Sequence, residues 1–313
     1  MNARIKIFAG RSHPALCQAI CDDLDLPVGK SDVVKFSNDN LMVKIEENVR
    51  ECDVFYIQTA ATPTNEHIIE TLIAIDALKS ASAARVTAVL PYFPYARSDK
   101  KDRPRISIAA RLMADLLQTA GADRVLCMDL HSPQIQGFFH VPVDQLEASP
   151  LIAEYIRGYD LTNTVLVAGD AGHAKELARL NARLGLSMAV VDKRRYADDD
   201  QAVATNLIGS VDGMNAIIVD DEIATGGTVV EAARFLLEKG ALSVSVAATH
   251  GVLSGPAIER INDSPFREVV VTDTMPVADK LARCSKLKVL SVAGLFAKAI
   301  RRIHDGDSVS DLF

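Results

Sequence analysis

Two adjacent carboxylates, Asp220 and Asp221, stand between an apolar run and a turn of small residues. The run over residues 216–219 is short, apolar and β-branched, as in an interior parallel strand. The Thr-Gly-Gly-Thr turn over 225–228 can direct backbone N–H groups to one point, and a helical pattern then runs to Gly240. Such a helix start favours phosphate, since its N–H groups and its dipole both attract an anion. Carboxylates beside it suit sugar hydroxyls or Mg²⁺. The stretch therefore predicts a sugar-phosphate site, and the alternative is an ordinary strand-to-helix turn with a solvated acidic edge.

Three more acidic or imidazole side chains follow apolar runs. Asp129 and His131 come after the run over 124–128. Strand alternation predicts that both point to one side, where they could hold a metal or a metal-bound phosphate. Asp170 comes after the run over 165–168 and has glycines on both sides of it in the sequence, which permits close approach of a ligand.

Two basic segments also follow apolar runs. Residues 91–105 contain five Lys or Arg side chains and follow the run over 86–90. They are either a solvated, mobile loop or a lid that closes over a polyphosphate, and the two interpretations are compatible. Residues 192–195, Asp-Lys-Arg-Arg, follow the run over 188–191. They predict a solvated basic turn or a charged loop that can move onto a phosphate.

These residues need a scaffold of alternating strands and helices. The predicted strands cover residues 5–8, 54–58, 86–90, 124–128, 165–168, 188–191, 216–219, 244–248, 268–271 and 289–292. The predicted helices cover residues 13–24, 65–80, 106–120, 171–184, 228–239, 256–262 and 293–304. This alternation predicts parallel sheets with helices on both faces, in which ligands bind beyond the carboxyl ends of the strands. The first alternating block ends near residue 147, where we expect a domain boundary.

Composition narrows the class of protein. The chain has 313 residues, 49% of them hydrophobic, which suffices for a packed core and favours two domains. Its net charge of −7 predicts no general affinity for nucleic acid. No apolar run has the length of a membrane span, and the first residues show no signal-peptide pattern. The five cysteines are scattered without a Cys-x-x-Cys pair, which favours a reducing, cytoplasmic location.

Taken together, the motifs resemble those of the ribose-phosphate pyrophosphokinases, also called phosphoribosyl pyrophosphate synthetases. The matching segments cover residues 36–38, 47–50, 91–97, 128–131, 134–139, 142–144, 192–195, 219–221, 225–228, 249–256 and 271–274. The resemblance implies an α/β fold of two doubly wound parallel-sheet domains of the phosphoribosyltransferase type. Residues 1–147 would form the ATP-side domain and residues 148–313 the domain that binds ribose 5-phosphate, with the final helix packing back on the first domain.

The resemblance also implies a reaction and a set of site residues. The family transfers the β,γ-diphosphoryl group of ATP to the C1 hydroxyl of ribose 5-phosphate. Ribose 5-phosphate would be bound by Asp220, Asp221, Ala224, Thr225, Gly226, Gly227 and Thr228. ATP would be bound by Phe36, Asn38, Asn40, Arg97, Ser98, Asp99 and His131, of which the segment around Phe36 reaches in from a neighbouring subunit of a homohexamer. Mg²⁺ would be held by Asp129, His131 and Asp170, and Lys193 and Arg195 would be catalytic residues on a flexible loop.

The same resemblance implies regulation by anions. Arg50, Ser82, Ser308 and Ser310 correspond to a site where inorganic phosphate activates and ADP inhibits. The bland alternative is that hydroxyls near a chain end are only solvated.

Four residues depart from the family pattern. Asn40, Ser98, His140 and Ala224 stand where the family usually has Glu, Gln, Asp and Asp. These departures favour, as an alternative, a non-catalytic regulatory homologue. A phosphoribosyltransferase is a further alternative, since that class shares the loop over 225–228, but it lacks the ATP-side segments.

Overall fold

The computed structural model describes residues 4–195 and 202–312. It divides into two compact units. The first contains residues 1–147, 274–276 and 292–313, and the second contains residues 148–273 and 277–291. In the described residues, no helix is long and apolar enough to cross a membrane.

The first unit is built on a five-stranded parallel sheet. Its strands, with a separate hairpin of β2 and β3, are β1 (Ile5–Ala9), β2 (Ser31–Lys35), β3 (Leu41–Ile45), β4 (Asp53–Ile57), β5 (Arg85–Leu90), β6 (Arg124–Met128) and β7 (Val143–Leu146). Its helices are α1 (Pro14–Leu24), α2 (Thr64–Ser80), α3 (Ala109–Ala120) and, from the end of the chain, α9 (Ala293–Asp305). The strand order is β1-β4-β5-β6-β7.

Both faces of this sheet are buried, which explains why its strands are apolar without interruption. Tyr56 and Val86 face the core that contains residues of α2 and α3. Their strand neighbours Phe55 and Val89 are also buried, on the opposite face. Helix α1 packs against β1 and against α9.

The β2–β3 hairpin is an element that the sequence patterns did not predict. It is antiparallel, with Ser31 opposite Ile45 and Lys35 opposite Leu41. Of its ten strand residues, Val43 alone is buried, in the core that α2 also enters. A two-stranded, mostly exposed element gives a weak hydrophobic alternation, and this is why it escapes prediction.

The second unit is built on a seven-stranded sheet of order β10-β9-β8-β11-β12-β13-β14. Its strands are β8 (Thr164–Ala168), β9 (Ser187–Arg195), β10 (Ala202–Ile208), β11 (Asn215–Glu222), β12 (Ser243–His250), β13 (Phe266–Thr272) and β14 (Leu287–Leu290). Its helices are α4 (Ser149–Arg157), α5 (Ala174–Leu184), α6 (Gly227–Glu238), α7 (Ala257–Asn262) and α8 (Ala278–Leu281). All pairs are parallel except β9 with β10.

The prediction of a loop over residues 192–195 is wrong. These residues continue β9, because the backbone pairs antiparallel with β10, with Lys193 opposite Ala204 and Arg195 opposite Ala202. The side chains of Lys193 and Arg195 lie outside the described part of the structure, as do residues 196–201. Elsewhere the ten predicted strands and seven predicted helices are confirmed, with ends that shift by a few residues.

Candidate active site

The small-residue turn of the second unit leads directly from β11 into α6. The sequence predicted a strand end at Val219, but β11 continues through both carboxylates to Glu222. Gly226 has φ of 75°, and α6 begins at the next residue, Gly227. A left-handed residue followed by helical ones turns successive N–H groups into a concavity that binds anions. The first N–H groups of α6 also have no acceptor within their own helix, so the predicted anion-binding geometry is present.

A second backbone segment holds this turn. Residues 251–256 follow β12, and the amides of Leu253 and Ser254 donate to the carbonyls of Ile223 and Ala224, both at 2.9 Å. The Arg260 guanidinium on α7 donates from Nη1 to the carbonyl oxygen of Thr225 at 3.1 Å. The Gly-rich segment over 249–256 therefore supports the turn, a role that its sequence did not reveal.

An imidazole lies among the carboxylates at this edge of the sheet. Nδ1 of His173 is 3.1 Å from Oδ1 of Asp170. Its Nε2 is 3.5 Å from Oδ1 of Asp221 and 3.8 Å from Oδ1 of Asp220. Strands β8 and β11 are parallel neighbours, so the residues that follow β8 meet the last residues of β11 at one sheet edge.

The charged groups in this cluster shift one another's pKa values. The hydrogen bond to Asp170, with the nearby charges of Asp220 and Asp221, raises the pKa of His173 to about 9. The same hydrogen bond lowers the pKa of Asp170 to about 2. Burial, followed by the charge of Asp221, raises the pKa of Asp220 to about 7. At neutral pH the cluster thus pairs a cationic imidazole with an ionised Asp170.

Glycines keep this region open, as the sequence suggested. Asp170 accepts hydrogen bonds from the amides of Gly172 at 2.8 Å and His173 at 3.3 Å. A Cβ at Gly172 would lie only 3.0 Å from Oδ1 of Asp170, and a Cβ at Gly169 would lie 3.4 Å from Oδ2 of Asp220. Larger residues at these positions would crowd the carboxylates.

In the first unit, Asp129 and His131 lie just after the end of β6. The alternation of a strand therefore does not orient their side chains. The strand ends at Met128, and Asp129 has a left-handed φ of 35°. Its amide still donates to the carbonyl of Leu146 at 3.0 Å. Asp129 and His131 are half-buried and Leu130 between them is buried. The expectation of one shared strand face is wrong, because the backbone leaves the extended conformation at Asp129.

Apart from His131, the expected ATP residues of the first unit lie in two segments. Arg97 is exposed, while Ser98 and Asp99 are half-buried, in the segment after β5. The carbonyl of Ser98 accepts from the amide of Ala110 at the start of α3, at 3.2 Å. This bond joins the segment to α3.

The second segment is the five-residue tip of the β2–β3 hairpin. The amide of Phe36 donates to the carbonyl of Asn40 at 2.8 Å, and the amide of Asn40 lies 3.3 Å from Oδ1 of Asn38. The Phe36 side chain is 48% exposed. A hairpin tip thus presents an uncovered aromatic ring and two amide side chains.

The expected regulatory residues lie far apart in sequence within the first unit. Arg50 is exposed, and the amide of the next residue, Glu51, donates to the carbonyl of Ser82 at 3.0 Å, which brings these two segments together. The carbonyl of Ser308 accepts from Nη1 of Arg302 at 2.5 Å, and Ser310 begins a short 3₁₀ helix.

Sequence reasoning missed two residues of the second unit, His173 and Arg260. His173 lies three residues after Asp170 in the same glycine-containing segment, and this proximity was the available signal. Arg260 had none, because it lies 35 residues beyond Thr225 and on a different helix.

Comparison with known proteins agrees with this geometry. Residues 5–121 match the family described as the N-terminal domain of ribose phosphate pyrophosphokinase, and residues 199–313 match a phosphoribosyl synthetase-associated domain. A ribose-phosphate pyrophosphokinase from Deinococcus radiodurans is 52% identical over 100% of both chains. Ribose-phosphate pyrophosphokinase A from Dictyostelium discoideum is 46% identical over 100% of this chain and 99% of its own.

A solved structure is similar over the same length. The phosphoribosylpyrophosphate synthetase from Mycobacterium smegmatis has a TM-score of 0.90 and 42% identity, covering 97% of this chain and 99% of its own. The motifs, the two α/β units and the relatives of full length lead to one conclusion: the chain belongs to the ribose-phosphate pyrophosphokinase family.

Proposed function

We propose that this enzyme transfers the β,γ-diphosphoryl group of ATP to the C1 hydroxyl of ribose 5-phosphate, giving 5-phosphoribosyl 1-diphosphate and AMP. The observation that carries the proposal is the paired carboxylate edge of β11 leading directly into the Gly226 turn and the start of α6. A phosphate and the hydroxyls of one sugar need these two kinds of group side by side.

Ribose 5-phosphate binds at this edge of the second unit. The 5-phosphate accepts hydrogen bonds from the backbone of residues 224–228, which does not depend on the side chain at Ala224. Asp220 and Asp221 accept hydrogen bonds from the ribose hydroxyls. The supporting bonds from Leu253 and Ser254 keep the turn in this shape before the substrate arrives, which lowers the entropic cost of binding.

ATP is the second substrate of the proposal, and Mg²⁺ is its cofactor. Phe36, Asn38, Asn40, Arg97, Ser98, Asp99 and His131 bind ATP, with the hairpin tip of a neighbouring subunit contributing its exposed ring. Asp170 fits a Mg²⁺ ligand because its low pKa keeps it an anionic oxygen donor. Asp129 and His131 complete the proposed set. When bound, Mg²⁺ supplies positive charge that neutralises phosphate oxygens.

The reaction is an in-line displacement at the β-phosphorus. A bond forms from the C1 oxygen to that phosphorus, and the bond from the phosphorus to the oxygen that bridges to the α-phosphate breaks. The hydroxyl proton goes to solvent, and AMP leaves with the bridging oxygen. Lys193 and Arg195 stabilise the charge on the transferred group, which is the main help that such a reaction needs.

We further propose a homohexamer, regulation by anions and a cytoplasmic location. A nucleotide site that two subunits share requires an oligomer, which we propose is the hexamer. Inorganic phosphate activates and ADP inhibits at Arg50, Ser82, Ser308 and Ser310. The five cysteines are all free and buried, as a reducing compartment permits.

An AMP-release assay tests the proposed function. The chain is supplied with ATP, Mg²⁺ and ribose 5-phosphate, and AMP is measured with each component omitted in turn. We expect AMP only when all three are present, and Lys193→Ala should lower kcat far more than ribose 5-phosphate affinity. No AMP from ATP, and no corresponding nucleoside monophosphate from any other nucleoside triphosphate, would refute the synthetase and favour a regulatory homologue.

A further inference from the structure

We propose that Arg260 is a positioning residue for ribose 5-phosphate: it fixes the backbone of the phosphate turn and adds positive charge beside it. The inference rests on the proposed function of that turn, and it adds a residue on α7 to a site otherwise formed by β11 and α6. It also gives a role to the contacts that Arg260 makes with the turn.

The guanidinium lies directly against the turn. Nη1 of Arg260 donates to the carbonyl oxygen of Thr225 at 3.1 Å. A Cβ built at Gly227, the first residue of α6, would lie 3.2 Å from the same Nη1 atom. The arginine thus contacts the turn on both sides of Gly226, the residue that has the left-handed conformation.

The hydrogen bond determines which way one peptide group of the turn faces. In a trans peptide the C=O and N–H groups point in opposite directions. Since the Thr225 carbonyl is held by Arg260, the N–H of Gly226 must point away from Arg260. Rotation of this peptide would break the bond to the guanidinium, so Arg260 holds the Gly226 amide available for an anion.

Helix α7 holds the backbone of Arg260 in a fixed position, and the guanidinium extends from it. Ile258 and Ile261 are buried on either side of Arg260 in the sequence. The turn and the helix are also close in space, because a Cβ at Gly226 would lie 3.6 Å from the carbonyl oxygen of Ala257. Groups held on packed elements position a ligand more precisely than groups on loops do.

The charge of Arg260 is not cancelled by an acidic partner. Among the residues that the structure describes, no carboxylate lies within ion-pair distance of it. Arg283, an exposed arginine nearby, instead pairs with Glu259 at 2.6 Å. Because the described partner of Arg260 is a neutral carbonyl, the guanidinium keeps its full positive charge and has N–H donors to spare. This charge strengthens the attraction of the turn for a dianionic phosphate.

Three variants of the full-length chain test the inference. Arg260→Gln removes the charge, Arg260→Lys keeps it, and Arg283→Gln is the matched control at the neighbouring exposed arginine. For each we would measure kcat, KM for ATP and KM for ribose 5-phosphate, with calorimetric binding of ribose 5-phosphate and a thermal melt.

We expect Arg260→Gln to raise KM and Kd for ribose 5-phosphate about tenfold, which is the effect of one lost charge-assisted hydrogen bond. KM for ATP and the melting temperature should stay near the parent values, Arg260→Lys should recover most of the affinity, and Arg283→Gln should resemble the parent. An unchanged ribose 5-phosphate affinity in Arg260→Gln, or an equal rise in both KM values, would overturn the inference. An inactive parent chain would instead refute the proposed function.

Discussion

At the scale of single residues, His173 reduces the repulsion among the carboxylates that crowd this edge of the sheet. Like charges side by side repel, and burial of Asp220 and Asp221 disfavours the ionisation of both together. An imidazolium within 3.8 Å of three carboxylates offsets that repulsion. The same cation competes with the sugar hydroxyls for the carboxylates, so its removal should affect both stability and binding.

His173→Gln should lower the free energy of unfolding by about 1–3 kcal/mol at pH 7, because buried acids lose a charged hydrogen-bond partner. Equilibrium urea unfolding measures this loss, and calorimetry with ribose 5-phosphate measures the effect on binding. His140→Gln is the control, since His140 is exposed and lies 80 residues before Asp220 in the sequence. Equal stability of His173→Gln and His140→Gln would contradict the assignment.

At the scale of elements, ion pairs attach the β2–β3 hairpin to α2. Lys35, at the end of β2, binds Glu66 at 2.8 Å, and Arg11 binds both Glu66 and Glu70 at 2.8 Å. Glu70 has a fully buried side chain and also accepts from the Tyr56 hydroxyl at 3.2 Å. The network connects the hairpin that carries Phe36 to the interior of the first unit.

Substitution of the two glutamates should separate the buried from the exposed part of this network. Glu70→Gln should cost about 3 kcal/mol, since it breaks a buried pair and leaves the Arg11 guanidinium with only the carboxylate of Glu66. Glu66→Gln should cost clearly less than Glu70→Gln, because its pairs reach solvent. Denaturant unfolding of both variants gives the two values, and similar losses in the two would be inconsistent with this account.

A second pair of elements, α4 and β13, is joined by phenols. Tyr155 donates to Oε2 of Glu268 at 3.0 Å, and Tyr159, just after α4, donates to Oε1 of the same carboxylate. Burial and the hydrogen bond to Glu268 raise the pKa of both phenols above the usual value. Both hydroxyls must stay protonated to donate.

Stability should therefore fall at alkaline pH. A raised folded-state pKa contributes stability that is complete below the unfolded tyrosine pKa of about 10 and is lost as the pH rises beyond it. Urea unfolding between pH 8 and pH 11 should show this decline, and Tyr159→Phe should make it shallower. An identical pH dependence in the parent and in Tyr159→Phe would rule out this source of the decline.

At the scale of the whole molecule, the end of the chain completes the fold of its beginning. Asp53, at the start of β4, is buried and binds Nε of Arg85 at 2.8 Å and Nδ1 of His304 at 2.8 Å. Arg85 also donates to the carbonyl of Ile303 at 3.0 Å. The bonds to His304 and Ile303 join residues 251 and 218 positions apart in sequence, and they make α9 a part of the first unit.

A fragment of residues 1–147 should consequently be unstable by itself. Without α9 it loses the burial of Phe296, Ile300 and Ile303, worth about 5 kcal/mol together, and it exposes the apolar side of α1. We expect weak thermal transitions and binding of a hydrophobic dye. Joining residues 292–313 to residue 147 through a flexible linker should restore a cooperative melt, and a fragment that is stable without this addition would contradict the interpretation.

Local sequence patterns were enough to predict most strands and helices, the strand-end position of Asp170, and the turn over 225–228. Buried strands, small-residue turns and amphipathic helices leave local patterns, because each depends on neighbours only a few residues away. The same locality explains the errors at Asp129 and at residues 192–195, where a left-handed residue and pairing with β10 overrode the pattern.

The groups that support the phosphate turn and those that contact the carboxylates became known only from the tertiary structure. The bond from Arg260 to Thr225, the contact of His173 with Asp220 and Asp221, and the return of α9 to the first unit all join segments that are distant in sequence. Such contacts are set by parallel strand order and by packing, neither of which leaves a periodic signal along the chain. The turn was therefore visible in the sequence, whereas the residues that hold it in a binding shape were not.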